Sequence, residues 1–189
     1  MDKFTEATLR NFLNSHGVDT KEWGTRAFKS VNKLLEGIEK GEMALRETKD
    51  GGVECIVNAC SADVYFKDPE GILWKLKEEK RIMKSGSVKI INNKESVRGK
   101  IREGENPKET IHREIQEELN IPESGYKIKF LRTGNHEGVS TNYPNLFSKF
   151  SQHYFEVFLK KDYFKKDGYV EEQPTCSIYF IWEKINKKI

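Results

Sequence analysis

The sequence predicts an α+β fold, and three observations carry that prediction. Apolar residues recur at helical spacing through the first 40 residues, two-residue alternation takes over from residue 43, and one sharply capped helix at 107–119 interrupts the strands. Runs of helix, then strands, then a lone helix and more strands suit an α+β domain better than a regular βα alternation.

In residues 4–15, Phe4, Leu9, Phe12 and Leu13 share a helical face, and Gly17 ends the segment. Residues 24–40 read as a second helix, with Ala27, Phe28, Val31, Leu34, Leu35 and Ile38 on one side. His16 falls where a helix C-terminus favours a cation. Strands are expected at 43–48 and 53–66, joined by the Lys49-Asp50-Gly51-Gly52 turn. In the longer one, Val53, Cys55, Val57 and Ala59 share a face. Asp68-Pro69-Glu70-Gly71 turns the chain into a strand where Ile72, Trp74 and Leu76 alternate with lysines, and Lys84-Ser85-Gly86 turns it again before Val88-Lys89-Ile90.

The segment 99–121 reads GKIREGENPKETIHREIQEELNI. Asn106 is a good N-cap, Pro107 suits the first helical position, and Glu109 completes a capping box. Ile111, Ile115 and Leu119 form a stripe at i+4. Glu114, Glu117 and Glu118 share another face about a quarter turn away, at about 100° per residue. Like charges so close repel, so this face gains nothing unless a cation is present. Hard divalent ions take carboxylate oxygens, and Mg2+ commonly shares its shell with substrate phosphates. Asn120 can adopt the left-handed conformation that ends a helix, and Pro122 forbids continuation.

With Gly99, Glu105 and Arg113-Glu114-Ile115-x-Glu117-Glu118-x-Asn120-Ile121 in one register, the segment resembles the Nudix box, G-x5-E-x7-R-E-U-x-E-E-x-G-U with U apolar. Asn120 replaces the last glycine, and Val97-Arg98 stand where Pro-Gly often precedes the box. The resemblance implies a Nudix-type α/β/α sandwich: a mixed β-sheet with the box helix on one face and an N-terminal helical extension. It implies domains of 1–41 for the extension and 42–189 for the Nudix hydrolase proper, with helix 24–40 covering the second face of the sheet. It also implies metal-dependent hydrolysis of a nucleoside diphosphate linked to another moiety, by attack of water at phosphorus, with Mg2+ or Mn2+ as cofactor. Glu117, Glu118, Glu114 and the Gly99 carbonyl are the expected metal ligands. Glu114 is the further ligand or the base, and Glu105 pairs with Arg113, which holds the carboxylates. An extra acid from outside the box is expected at Glu137, in a polar loop at 134–147, with Glu171 and Glu172 as rivals.

Strands are expected at 126–132 and 152–159, the latter with His153, Phe155, Val157 and Leu159 on one face. Residues 161–170 read as a loop or short helix, and 176–182, apolar on both faces, as a buried central strand. Tyr143, Phe147 and Tyr154 are the aromatics placed to stack on a base. The SQPWPFPxS signature of NADH pyrophosphatases is absent after the box, as are the proline and tyrosine offsets associated with ADP-ribose and diadenosine-polyphosphate enzymes.

Composition excludes little else. The chain has 189 residues, one-third of them charged, with a formal charge of +3, and no lysine block demands nucleic acid. Cys55, Cys60 and Cys176 form no metal or disulfide pattern and read as reduced cysteines of a cytoplasmic protein. No apolar run has membrane-spanning length, and the N-terminal stretch is unlike a signal peptide. The expected partner is a nucleotide-type small molecule, and a homodimer fits the family habit. Two other readings stay open: a non-catalytic Nudix domain that binds a nucleotide or RNA, and an RNA 5′-end pyrophosphohydrolase. The first is disfavoured by retention of every box carboxylate, the second by the scattered lysines.

Overall fold

The computed structural model describes residues 4–25, 27–91 and 95–185. Among the described residues, three α-helices, α1 (Glu6–Ser15), α2 (Val31–Glu39) and α3 (Pro107–Leu119), accompany nine strands. The strands are β1 (Ala44–Glu47), β2 (Val53–Lys67), β3 (Leu73–Met83), β4 (Val88–Ile90), β5 (Val97–Lys100), β6 (Tyr126–Val139), β7 (Phe147–Leu159), β8 (Tyr169–Glu172) and β9 (Cys176–Ile185). The fold is α+β, with a mixed nine-stranded sheet of order β6-β7-β2-β3-β9-β8, in which β1 and β5 also pair with β2, and β4 with β3. The expected tail at 186–189 lies outside the described residues.

Contacts group the chain into two compact units. The first comprises Met1–Ala59, Lys100–Glu105 and Gly134–Gln152, the second Cys60–Gly99, Asn106–Thr133 and His153–Ile189.

In the first unit, Thr5 caps α1 through a reciprocal box with Thr8. The second helix is shorter than its apolar pattern suggests. Gly24 takes a left-handed φ of 89°, residues 27–30 stay irregular, and Ser30 caps α2 by accepting the Lys33 N–H. The Lys29 N–H goes instead to the carbonyl of Asn142. Leu9 and Leu13 from α1 and Val31 and Leu34 from α2 form one core with Val53, Cys55 and Val57 of β2. The N-terminal helices thus cover the start of β2, and each buried leucine contributes about 1.5–3 kcal/mol.

The second unit packs the α3 stripe inward: Ile111, Ile115 and Leu119 are buried, as are Cys60, Ala62, Val64 and Phe66 of β2. The buried side of β2 therefore changes parity after Ala59, so that only the first three of the four residues grouped by sequence lie in a core. Strands β3 and β9 pair antiparallel from Leu73↔Ile185 to Met83↔Cys176, with a bulge between Glu78 and Lys80. As its apolar faces suggest, β9 is an internal strand, between β3 and β8.

Gly99, the first residue of the box, lies in β5. One local expectation is corrected. The expected loop 134–147 is mostly strand: β6 runs to Val139 and β7 starts at Phe147. Strand β6 stands at one end of the strand order and is exposed along most of its length, so it needs no apolar alternation to announce it.

Removing residues 1–40 strips α1 and α2 from the first unit's core. The truncated chain is expected to be insoluble or to bind a dye such as ANS like a molten state, and Leu34→Ala to cost about 2–5 kcal/mol in urea unfolding. A truncation that unfolds cooperatively with native-like near-UV circular dichroism refutes this.

Candidate active site

The site is built on α3, whose start is fixed locally. Asn106 Oδ1 accepts the N–H groups of Lys108 and Glu109, each at 3.0 Å, and the Glu109 carboxylate accepts the Asn106 N–H at 2.9 Å. Asn120, at φ 54° and ψ 43°, ends the helix in the left-handed conformation. With both ends set and the apolar stripe buried, the rotation of the carboxylate face is fixed.

Glu114 sits against the backbone of Gly99. A Cβ built on Gly99 falls 2.1 Å from Glu114 Oε1 and 2.3 Å from its carboxyl carbon, so only glycine leaves room for this carboxylate. The Gly99 carbonyl accepts a weak hydrogen bond from the Cys60 thiol at 3.6 Å. Arg113 Nη1 donates to Glu114 Oε1 at 2.5 Å and to Glu117 Oε2 at 3.3 Å, linking the two carboxylates. Arg113 and Glu114 are largely buried, with side chains 17% and 12% exposed, whereas Glu117 is half-exposed at 49%. Glu105 accepts the Arg102 N–H at 3.1 Å and closes the loop before α3.

Glu118 is the most perturbed acid. Burial first, then the charges of Glu114, Glu171 and Glu78, push its carboxyl up to about 9, against the opposing help of the Arg98 N–H. It lines a polar cavity of about 190 Å³ with Glu78, Glu171, Arg81 and Arg98. Glu78 is only 6% exposed, and Arg81 holds it, Nη2 donating to Oε2 at 3.0 Å. The β3 bulge immediately follows Glu78.

The structure thus gathers Gly99, Arg113, Glu114, Glu117, Glu118 and, from β8, Glu171. Glu78 is a member that sequence reasoning missed. A signal was present, since position 78 continues the Trp74–Leu76 parity and places a charge where an apolar residue is due. Glu137 lies on the first unit's part of β6 and lines a different cavity there. Tyr143 is 4% exposed and packs on Trp23, ring centroids 5.0 Å apart, inside the first unit's core. Phe147 is partly exposed, and Tyr154 carries the Arg132 guanidinium 3.9 Å above its ring. His153 Nδ1 lies 3.0 Å from the Thr133 hydroxyl.

Among the described residues, no three His, Cys, Asp or Glu side chains converge at metal-ligand spacing. The donor chemistry nevertheless suits a hard divalent ion. Only oxygens are offered, and a carboxyl held protonated by its acidic neighbours is one that a cation would return to its ionised form.

The NUDIX domain family matches residues 61–178, and the chain belongs to the Nudix family. No curated protein matches it. Similar solved structures include an Ap4A hydrolase from C. elegans, at 16% identity over 68% of this chain and 80% of that one, with a TM-score of 0.42. Another is the E. coli dihydroneopterin triphosphate pyrophosphohydrolase, at 17% identity over 66% and 78%, with a TM-score of 0.41. A MutT/nudix family protein from Enterococcus faecalis aligns over 98% of this chain and 58% of its own length, at 11% identity and a TM-score of 0.43.

Two outcomes are expected of metal-free protein. In the fold Glu118 keeps its proton up to about 9, whereas the unfolded chain releases it near 4.5. Below that window both states are protonated; within it the folded state binds the extra proton, so stability falls as pH rises. Glu118→Gln should flatten that slope of Tm against pH, and an unchanged slope refutes the assignment. Gly99→Ala should cost about 1–3 kcal/mol through its clash with Glu114, most of it recovered in combination with Glu114→Ala. A urea double-mutant cycle reads that coupling, and additive losses would deny the contact.

Proposed function

We propose that this chain is a metal-dependent hydrolase that cleaves the pyrophosphate of a nucleoside diphosphate linked to another moiety, with water attacking phosphorus. The observation that supports this most is Glu118, half-buried and raised to about 9 beside Glu114, Glu171 and Glu78 on a helix whose Glu114 rests on Gly99. A fold keeps so many acids together at a net cost unless a cation relieves it. Like charges within one polar cavity therefore favour catalytic use over a scaffold role.

In this reading Glu117, Glu118, Glu114 and the Gly99 carbonyl hold Mg2+ or Mn2+. The ion, when bound, neutralises the pyrophosphate and supplies an activated water. Arg113 fixes the Glu114 and Glu117 carboxylates so that they meet the ligand without reorganising. Glu114, the more enclosed of those two, is also placed to take the proton of the attacking water. Glu171 serves as the acid from outside the box, because it shares a cavity with Glu118. Arg81 holds the Glu78 carboxylate in place, so that it faces Glu118 from a fixed position.

The test is product release from ADP-ribose, NADH, dinucleoside polyphosphates, dNTPs and capped RNA, with Mg2+ or Mn2+, beside Glu118→Gln. The expected result is turnover that requires metal and falls by roughly 10²-fold or more in the variant. Binding of a substrate without turnover in any metal would instead identify a ligand-sensing Nudix domain.

A further inference from the structure

The first unit holds a cavity that the hydrolase reading does not use. Its volume is about 610 Å³, within the range of roughly 300–1,000 Å³ typical of small-molecule sites. It opens on the even-numbered side of β2, where Ile56 and Asn58 face it, while the odd-numbered Val53, Cys55 and Val57 are buried under the helices.

Three kinds of group converge there. His136 and Phe150 stack in parallel, centroids 5.2 Å apart and planes at 21°, which makes a flat aromatic wall. Asn58 and Asn135 bring amide groups, and neither side chain has a hydrogen-bond partner among the described residues. Arg46 and Lys149 bring two cations. Both are anchored on the buried carboxylate of Glu54, with Arg46 Nε 2.6 Å from Oε1 and Lys149 Nζ 2.9 Å from Oε2. One carboxylate for two cations leaves a net positive charge with pre-set geometry, and each cation retains donors that Glu54 does not engage.

A planar ring to lie on the wall, a polar ring edge for the amides and an anion for the cations describe one ligand class. We infer that this cavity binds a nucleobase linked to a phosphate, with the base on His136 and Phe150, its edge read by Asn58 and Asn135, and the phosphate at Arg46 and Lys149. Glu137 also lines the cavity and is an acceptor for a ribose hydroxyl or a ring amine. None of these residues belongs to the box, so the site stands or falls apart from the hydrolase reading.

The experiment is calorimetric titration of the full chain in EDTA, where the proposed metal-dependent cleavage cannot run. The probes are AMP, UMP, adenosine, ribose 5-phosphate and a short 5′-phosphorylated RNA. At least one nucleotide, free or at the RNA end, should bind at least tenfold tighter than adenosine or ribose 5-phosphate, and the stronger of free nucleotide and RNA identifies the source. His136→Ala, at an exposed strand position, should weaken that binding tenfold or more with little change in Tm, and Arg46→Gln should weaken it as much at a temperature where circular dichroism shows the variant folded, its Tm lowered by the loss of a Glu54 partner. The inference is overturned if no nucleotide binds. It is also overturned if ribose 5-phosphate binds as well as AMP, or if both folded variants bind like the wild type.

Discussion

Glu118 is half-buried in the company of Glu78, Glu114 and Glu171, and the rest of the second unit is arranged to tolerate this. Bringing carboxylates together out of solvent opposes folding twice, through lost hydration and through mutual repulsion. The offsetting terms are visible. Arg81 neutralises Glu78, Arg113 bridges Glu114 and Glu117, and the Arg98 N–H donates to Glu118. Glu118 keeps its proton as the remaining concession. The apolar stripe of Ile111, Ile115 and Leu119 then supplies the burial that holds the strained face in place.

The position of the helix matters because the contact with Gly99 has no slack. The Glu114 carboxylate lies where a Cβ on residue 99 would put it in clash, so the observed packing of α3 on β5 depends on glycine there. The reciprocal cap at Asn106 and the left-handed stop at Asn120 define the helix ends, so the turn carrying Glu114 through Glu118 cannot slide. On the sheet side the bulge after Glu78 breaks the β3–β9 register at the level of Phe180, next to the acidic cavity.

How far the sequence was readable follows from where each signal was stored. The helix α3 was legible to the residue, because cap, stripe and stop are all local and lie within the chain's own neighbours. So was the internal position of β9, although only its Cys176, Ile178 and Phe180 face is buried and the other face is half-buried. The end of β6 was not legible: Gly134 to Val139 carry polar side chains on an exposed edge strand, and their order comes from pairing, which leaves no periodicity behind. The start of α2 failed for the opposite reason. An apolar pattern extended past the point where Gly24 and the Ser30 cap break the helix. Among site residues, a match to the box could name Glu114, Glu117 and Glu118, but only tertiary structure could put Glu171 and Glu78 beside them, and only tertiary structure could show Tyr143 in the core.

The parity change in β2 bears on all of this. A strand with one buried face would show a single alternation from Val53 to Phe66; this one buries odd residues up to Val57 and even ones from Cys60. On either side of the change, the Asn58 carbonyl accepts the Ile101 N–H at 2.9 Å and the Ala62 carbonyl the Ser96 N–H at 3.0 Å. Strand β2 thus contributes odd-numbered residues to the core of the first unit and even-numbered ones to that of the second. The consequence is chemical as well as structural. Because the helices take the odd face, Glu54, Ile56 and Asn58 are left to the other side, where a buried carboxylate can anchor two cations at the edge of an open cavity. Had the odd-face burial continued to the end of the strand, Cys60, Ala62, Val64 and Phe66 would lack a core, and α3 would have no sheet against which to fix its acids.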